Sequence, residues 1–225
     1  SDYSPTARYG LDPTLSTYVE VTGQTDQYVA WNITSPLLHF VNLTGLVAGG
    51  GEGNAKYYYQ VGDPRFGWSA VRSFRTQLVP GALHPLGLTV AVTGDMGIDF
   101  SNATMLAIGA LSDAADSSGA PFFSAMNGDS AYADNRQSLN DGSLADGVLD
   151  DFYAMVSDGY AARTPTMFGV GNHDMQLGDI PTCLNGTQMC KGLAYVRRVG
   201  PTIPFGAASR TTPSRSPFWY SYEVG

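Results

Sequence analysis

Three short stretches of this 225-residue chain offer side chains of the kind that hold metal ions. Leu88 to Gly97, LTVAVTGDMG, is an apolar run that stops at Gly94 and presents Asp95. Ala120 to Tyr132, APFFSAMNGDSAY, stops at Asn127-Gly128 and presents Asp129 and then Tyr132. Thr166 to Asp174, TMFGVGNHD, stops at Gly171 and presents Asn172, His173 and Asp174. Carboxylates, an amide oxygen and a phenol are oxygen donors for hard cations, and a phenolate suits ferric iron. Two carboxylates about 4 Å apart repel by roughly 4 kcal/mol at an effective dielectric near 20, a penalty that a bound cation reverses. Each motif alone is weak, since Gly-Asp after a strand is more often a plain turn. A lone histidine is more often structural than catalytic. The signal is the repetition of one plan, in order, after three separate apolar runs.

Those runs must be brought together, and the pattern between them says how. Asn102 to Ala115 fits a helix, with Met105, Leu106, Ile108, Ala110 and Leu111 as its apolar face. Ser143 to Arg163 fits a second, with Leu144, Val148, Phe152, Met155, Val156 and Gly159 at three- and four-residue spacings. Ser143 with Asp146 resembles a capping box that has Asp in place of Glu. The order β-α-β-α-β predicts a parallel sheet. Ligands of such sheets collect at the carboxyl ends of the strands, where all three motifs fall. Before Gln77 the chain reads differently: Tyr18–Thr22, Tyr28–Thr34, His39–Leu43, Ala55–Val61 and Val71–Thr76 are short strands between turn signals, as in a small β-sandwich. Residues 1–77 therefore form one expected domain, 78–87 (two Pro, two Gly) a linker, and 88–225 a second domain. From Gly178 onward the chain reads as loop, closing on the aromatic strand Phe218–Val224.

Composition limits the partners. Twenty acids against twelve bases give a net charge of −8, and the chain has no basic run beyond Arg197-Arg198, which argues against a nucleic-acid phosphate track. No apolar stretch is long enough to span a bilayer. Asn32, Asn42, Asn102 and Asn185 each begin an Asn-x-Thr sequon, which favours a secreted, glycosylated protein. The two cysteines, Cys183 and Cys190, lie in one polar loop; in an oxidising compartment a local disulfide is expected, contributing roughly 2.5 kcal/mol before strain.

Gly94-Asp95-Met96-Gly97, Gly128-Asp129-Ser130-Ala131-Tyr132 and Gly171-Asn172-His173-Asp174 resemble the ordered signature of the calcineurin-related metallophosphoesterases. The tyrosine marks their purple acid phosphatase branch. Arg8-Tyr9-Gly10, His39 to Leu46, Tyr57 to Asp63 and Ser73 to Thr76 look like landmarks of the fibronectin-like sandwich of the larger, plant-type members. The resemblance implies a fibronectin III/Ig-like sandwich followed by an α/β metallophosphoesterase domain, an incomplete four-layer α/β/β/α sandwich. It implies hydrolysis of small phosphomonoesters by a metal-bound hydroxide at a dinuclear centre of Fe(III) with Zn, Mn or Fe. Asp95, Asp129 and Tyr132 would hold the ferric ion, and Asp129 and Asn172 the second metal. His173 would contact phosphate or protonate the leaving oxygen, while Asp174 would orient His173 or the metal shell. The signature's later Val-x-x-His and Gly-His-x-His motifs have no counterpart, because the chain's only histidines are His39, His84 and His173. The expectation is therefore part of a longer phosphatase, inactive in this form, with a possible homodimer or a surface or wall assembly. The alternative is a non-catalytic, phosphatase-like glycoprotein of such an assembly.

Overall fold

The computed structural model describes residues 3–30, 33–49, 54–79, 81–136, 143–175 and 192–202. The two cysteines, Asn32, Asn185 and the aromatic segment 218–224 lie outside the described residues, and so do the expectations placed on them.

The N-terminal part is a β domain. β1 (Thr6–Gly10) pairs antiparallel with β2 (Val19–Thr22) on one side and with β7 (Lys56–Asp63) on the other. The far edge of β7 takes β8 (Gly67–Trp68) and β9 (Arg72–Arg75). β3 (Gln24–Asp26) and β6 (Leu38–Phe40) form a separate antiparallel pair. Aromatic residues at period two in β7 give the sheet its inner face: Tyr57 is buried and stacks on Phe74 of β9 at 5.8 Å. Tyr28 to Thr34 is not the single strand expected. It folds back as the hairpin β4 (Val29–Ala30) and β5 (Ile33–Thr34), in which each half satisfies the other's backbone, and Tyr28 is released into the core of the second unit.

Among the described residues, that second unit is a three-stranded parallel sheet in the order β10 (Thr89–Thr93), β11 (Phe122–Asn127), β12 (Thr166–Gly169). Phe122, Ser124 and Met126, two residues apart on the central strand, are buried on one face. Phe122 and Met126 share a core with α1 (Asn102–Ser118) and α2 (Ser143–Val156). The opposite phase of β10 is open: Leu88, Val90 and Val92 are exposed, Val92 by 68%.

Four sequence expectations need correction here. The buried side of α1 is Met105, Ile108, Gly109, Ser112 and Ala115, whereas Leu106 is 75% exposed and Leu111 is also exposed. Apolar residues surround this helix, so hydrophobicity alone could not choose a face. The small residues mark the side of close approach, and Ser112 meets Thr164 there through their hydroxyls at 2.5 Å. The regular part of α2 ends at Val156, after which a π turn, Ser157–Ala161, places the fully buried Tyr160 in the core. Asp146 does not close a capping box: its carboxylate accepts from Tyr28 and Arg198. Beyond Gly178 the chain is also not loop throughout, because α4 (Leu193–Arg198) follows α3 (Asn172–Met175) in chain order. Its two arginines sit in the last turn, where cations favour a helix.

Candidate metal centre

The three glycine-ended motifs lie side by side at the carboxyl ends of β10, β11 and β12, and their backbones are joined. The Asp95 N–H donates to the Gly128 carbonyl (3.3 Å) and the Gly97 N–H to that of Ser130 (2.8 Å), which zips the first loop to the second. The second meets the third even more closely. A Cβ on Gly128 would lie 2.4 Å from the Gly171 nitrogen, and one on Gly171 would lie 2.0 Å from Asp129 Oδ1. Only bare backbone fits at either place, which is why both runs stop on glycine.

This crossing brings the candidate side chains into one cluster. The Tyr132 hydroxyl donates to Asp95 Oδ1 at 2.6 Å. The His173 N–H donates to Asp129 Oδ1 at 2.9 Å, and the rings of Tyr132 and His173 lie 4.2 Å apart between centroids. Asn172 opens α3 and is exposed beside them. Asp95, Asp129 and Tyr132 share a further property: all three have left-handed backbone, with φ of 52°, 49° and 52°. Leu15 is the other described non-glycine residue with positive φ. Such conformations cost of order 1 kcal/mol or more each, and they persist where the surrounding structure imposes them.

The electrostatics are those of a site short of positive charge. The hydrogen bond to Asp95, together with burial and the nearby Asp95 and Asp129 charges, pushes the Tyr132 phenol up to about 12. Tyrosine, aspartate and asparagine oxygens are donors of the kind that suit a hard or ferric cation. Among the described residues, no three His, Cys, Asp or Glu side chains gather as a metal cluster.

Two acids beside the cluster have different partners. Asp174 is buried, and its carboxylate accepts from three backbone N–H groups: Asp129 (2.8 Å), Gly171 (2.9 Å) and Ser130 (3.1 Å). It therefore acts on the backbone of the loops that carry Asp129. Burial pushes the pKa of its carboxyl above the usual carboxylate value, against the pull of those three donors. The acid on the His173 ring is instead Asp134, whose Oδ2 lies 2.7 Å from Nδ1. Asp134 sits on the 3-10 turn Ala133–Arg136 directly after Tyr132, with its side chain 7% exposed. Its other oxygen is buried without a partner among the described residues. Sequence reasoning passed over Asp134. The available signal was its distance from Tyr132, which puts it one short turn beyond the second motif. His39 lies on β6, in the N-terminal β domain, and His84 in the loop before β10.

Comparison with known proteins gives this geometry a setting. Residues 1–76 match the family model described as Purple acid Phosphatase, N-terminal domain. Among solved structures, the chain is similar to purple acid phosphatase PPD1 from yellow lupin (Lupinus luteus) seeds. The TM-score is 0.56 and the identity 19%, over 100% of this chain and 38% of the lupin chain. At that identity the likeness is one of fold, and this chain spans little more than a third of its relative's length. No curated protein matches the chain.

Proposed function

We propose, from the match of residues 1–76 to the purple acid phosphatase N-terminal domain, that the chain carries part of a metal-dependent acid phosphatase acting on small phosphomonoesters. The observation that supports this reading is the cluster at the strand ends, where Tyr132 reaches Asp95 and Asp129 reaches the backbone of His173. Asp95, Asp129 and Tyr132 would hold a ferric ion, and Asp129 with Asn172 a divalent Zn, Mn or Fe. Bound there, the metals would neutralise phosphoryl charge and make water acidic enough to attack at low pH.

The protein's own groups do the rest. Asp174 fixes the Asp129 loop through three backbone bonds. With Asp134 ionised, the proton it shares with His173 sits on Nδ1. Nε2 is then the imidazole atom that meets the phosphoryl or leaving oxygen. Residues 88–225 would constitute the N-terminal part of the catalytic domain. The protein is secreted in this reading, and Asn42 and Asn102, both exposed, are available for glycans.

The test is metal analysis and an absorption spectrum of the natural glycoprotein, with p-nitrophenyl phosphate as substrate. Iron, a visible band that disappears in Tyr132→Phe, and hydrolysis at acid pH are expected. A well-folded protein without transition metal sinks the proposal. The rival, a non-catalytic phosphatase-like glycoprotein, draws on one observation: His173 is the only histidine at the strand ends. Metal uptake without hydrolysis of the phosphate ester would favour it.

A further inference from the structure

We infer that the N-terminal β domain holds the third site motif in place through α4, with Arg198 as the positioning residue at the joint. The inference rests on the phosphatase reading only in calling that motif part of a metal site. The Arg198 guanidinium is 7% exposed and divides its donors among three partners. Nη1 meets Asp150 Oδ1 at 2.5 Å, Nη2 meets Asp146 Oδ1 at 3.0 Å, and Nε meets the Tyr28 hydroxyl at 3.1 Å. Both acids belong to α2, while Tyr28 comes from the β domain and itself donates to Asp146. A planar fork spreads its donors over three nitrogens in fixed directions and can tie three elements at once, a geometry that the single nitrogen of an ammonium does not reproduce. The charge is buried, so the geometry must be kept. Beside it, Arg197 reaches Asp26 Oδ1 at 2.7 Å and the Gln27 carbonyl at 3.0 Å. Two consecutive side chains of one helical turn thus grip residues 26–28 of the β domain.

The other end of α4 is seated on the candidate site. The Gly192 N–H donates to the Met175 carbonyl at 2.9 Å, closing onto the last residue of α3. Tyr195 is buried, and its hydroxyl donates to the Phe168 carbonyl at 2.9 Å, three residues before Gly171. The turn that carries Asn172, His173 and Asp174 therefore lies between β12 and α4, and α4 is braced from the β domain.

The experiment is hydrogen–deuterium exchange on the full chain, comparing the native protein with Arg198→Lys, Tyr28→Phe and Asp26→Asn. The His173 ring is followed alongside by its side-chain ¹H–¹⁵N signals. Arg198→Lys should speed exchange in residues 171–175 at least tenfold and shift the His173 signals. β1, β7 and β11 should keep their native rates. Tyr28→Phe and Asp26→Asn should give the same pattern at smaller size, and they carry the test if Arg198→Lys fails to fold. Unchanged exchange at 171–175, or a uniform rise through the whole parallel-sheet unit, overturns the inference. Failure of the metal reading is seen separately, as native protein that takes up neither Fe³⁺ nor Zn²⁺, a result on which the exchange pattern does not depend.

Discussion

At the level of single residues, the site is a matter of which atoms may approach one another. Gly171→Ala would place a methyl 2.0 Å from Asp129 Oδ1, so the second and third loops must part. A loss of about 2–3 kcal/mol in chemical denaturation is expected, with any metal uptake lost as well. Asp174→Ala leaves three N–H groups of the loops without their buried acceptor and should cost about 3 kcal/mol, again measured by denaturation. Asp134→Asn should behave differently. On the phosphatase reading proposed above, stability and any metal content stay near native while turnover falls about 10- to 100-fold, because the His173 ring loses its carboxylate partner. The candidate oxygen donors could be read from residue types at strand ends. The division of labour between Asp174 and Asp134 could not, because it depends on where a 3-10 turn aims one side chain.

For the elements, the strand–helix alternation was legible because β-branched and aromatic runs differ in period from the helices between them. The face of α1 was not. Leu106 and Leu111 look as buried as Ile108 in sequence, and the choice was made by the small side chains opposite. Ile108→Ala should therefore cost about 2–4 kcal/mol in thermal or urea unfolding, and Leu106→Ser under about 0.5 kcal/mol. Contacts between elements also set a pH dependence. Burial pushes the Asp116 carboxyl of α1 up. The Lys56 hydrogen bond at 2.6 Å and the charges of Lys56 and Arg75 outweigh this and leave it below its ordinary value. A carboxylate depressed by folding stabilises fully above its unfolded value, near 3.9, and its contribution fades as pH falls through the lower folded value. Asp116→Asn should lower stability by roughly 1 kcal/mol at neutral pH, since the cluster is partly exposed, and should flatten the decline of Tm below about pH 4.

Across the whole molecule, the named strands up to β9 pair antiparallel and β10 to β12 pair parallel, yet the two parts are not beads on a string. Tyr59 donates to the Ala162 carbonyl at 2.6 Å, Arg75 reaches Asp116, and Gln77 reaches the Phe122 carbonyl at 3.2 Å. Tyr28 goes furthest, as a β-domain residue within the helical core. None of this was legible, because a tyrosine bound for another unit's interior looks in sequence like any strand tyrosine.

The bare phase of β10 bears on handling the protein. Purely parallel sheets are normally covered on both sides. Here Leu88, Val90 and Val92 are exposed on or beside a strand that is at the sheet edge among the described residues, a surface that invites sticking between molecules. Light scattering of the isolated chain should climb with concentration, and Val92→Lys should suppress the climb while leaving the unfolding midpoint nearly unmoved. Purification yield would then be governed by one strand on the rim rather than by the strength of the interior.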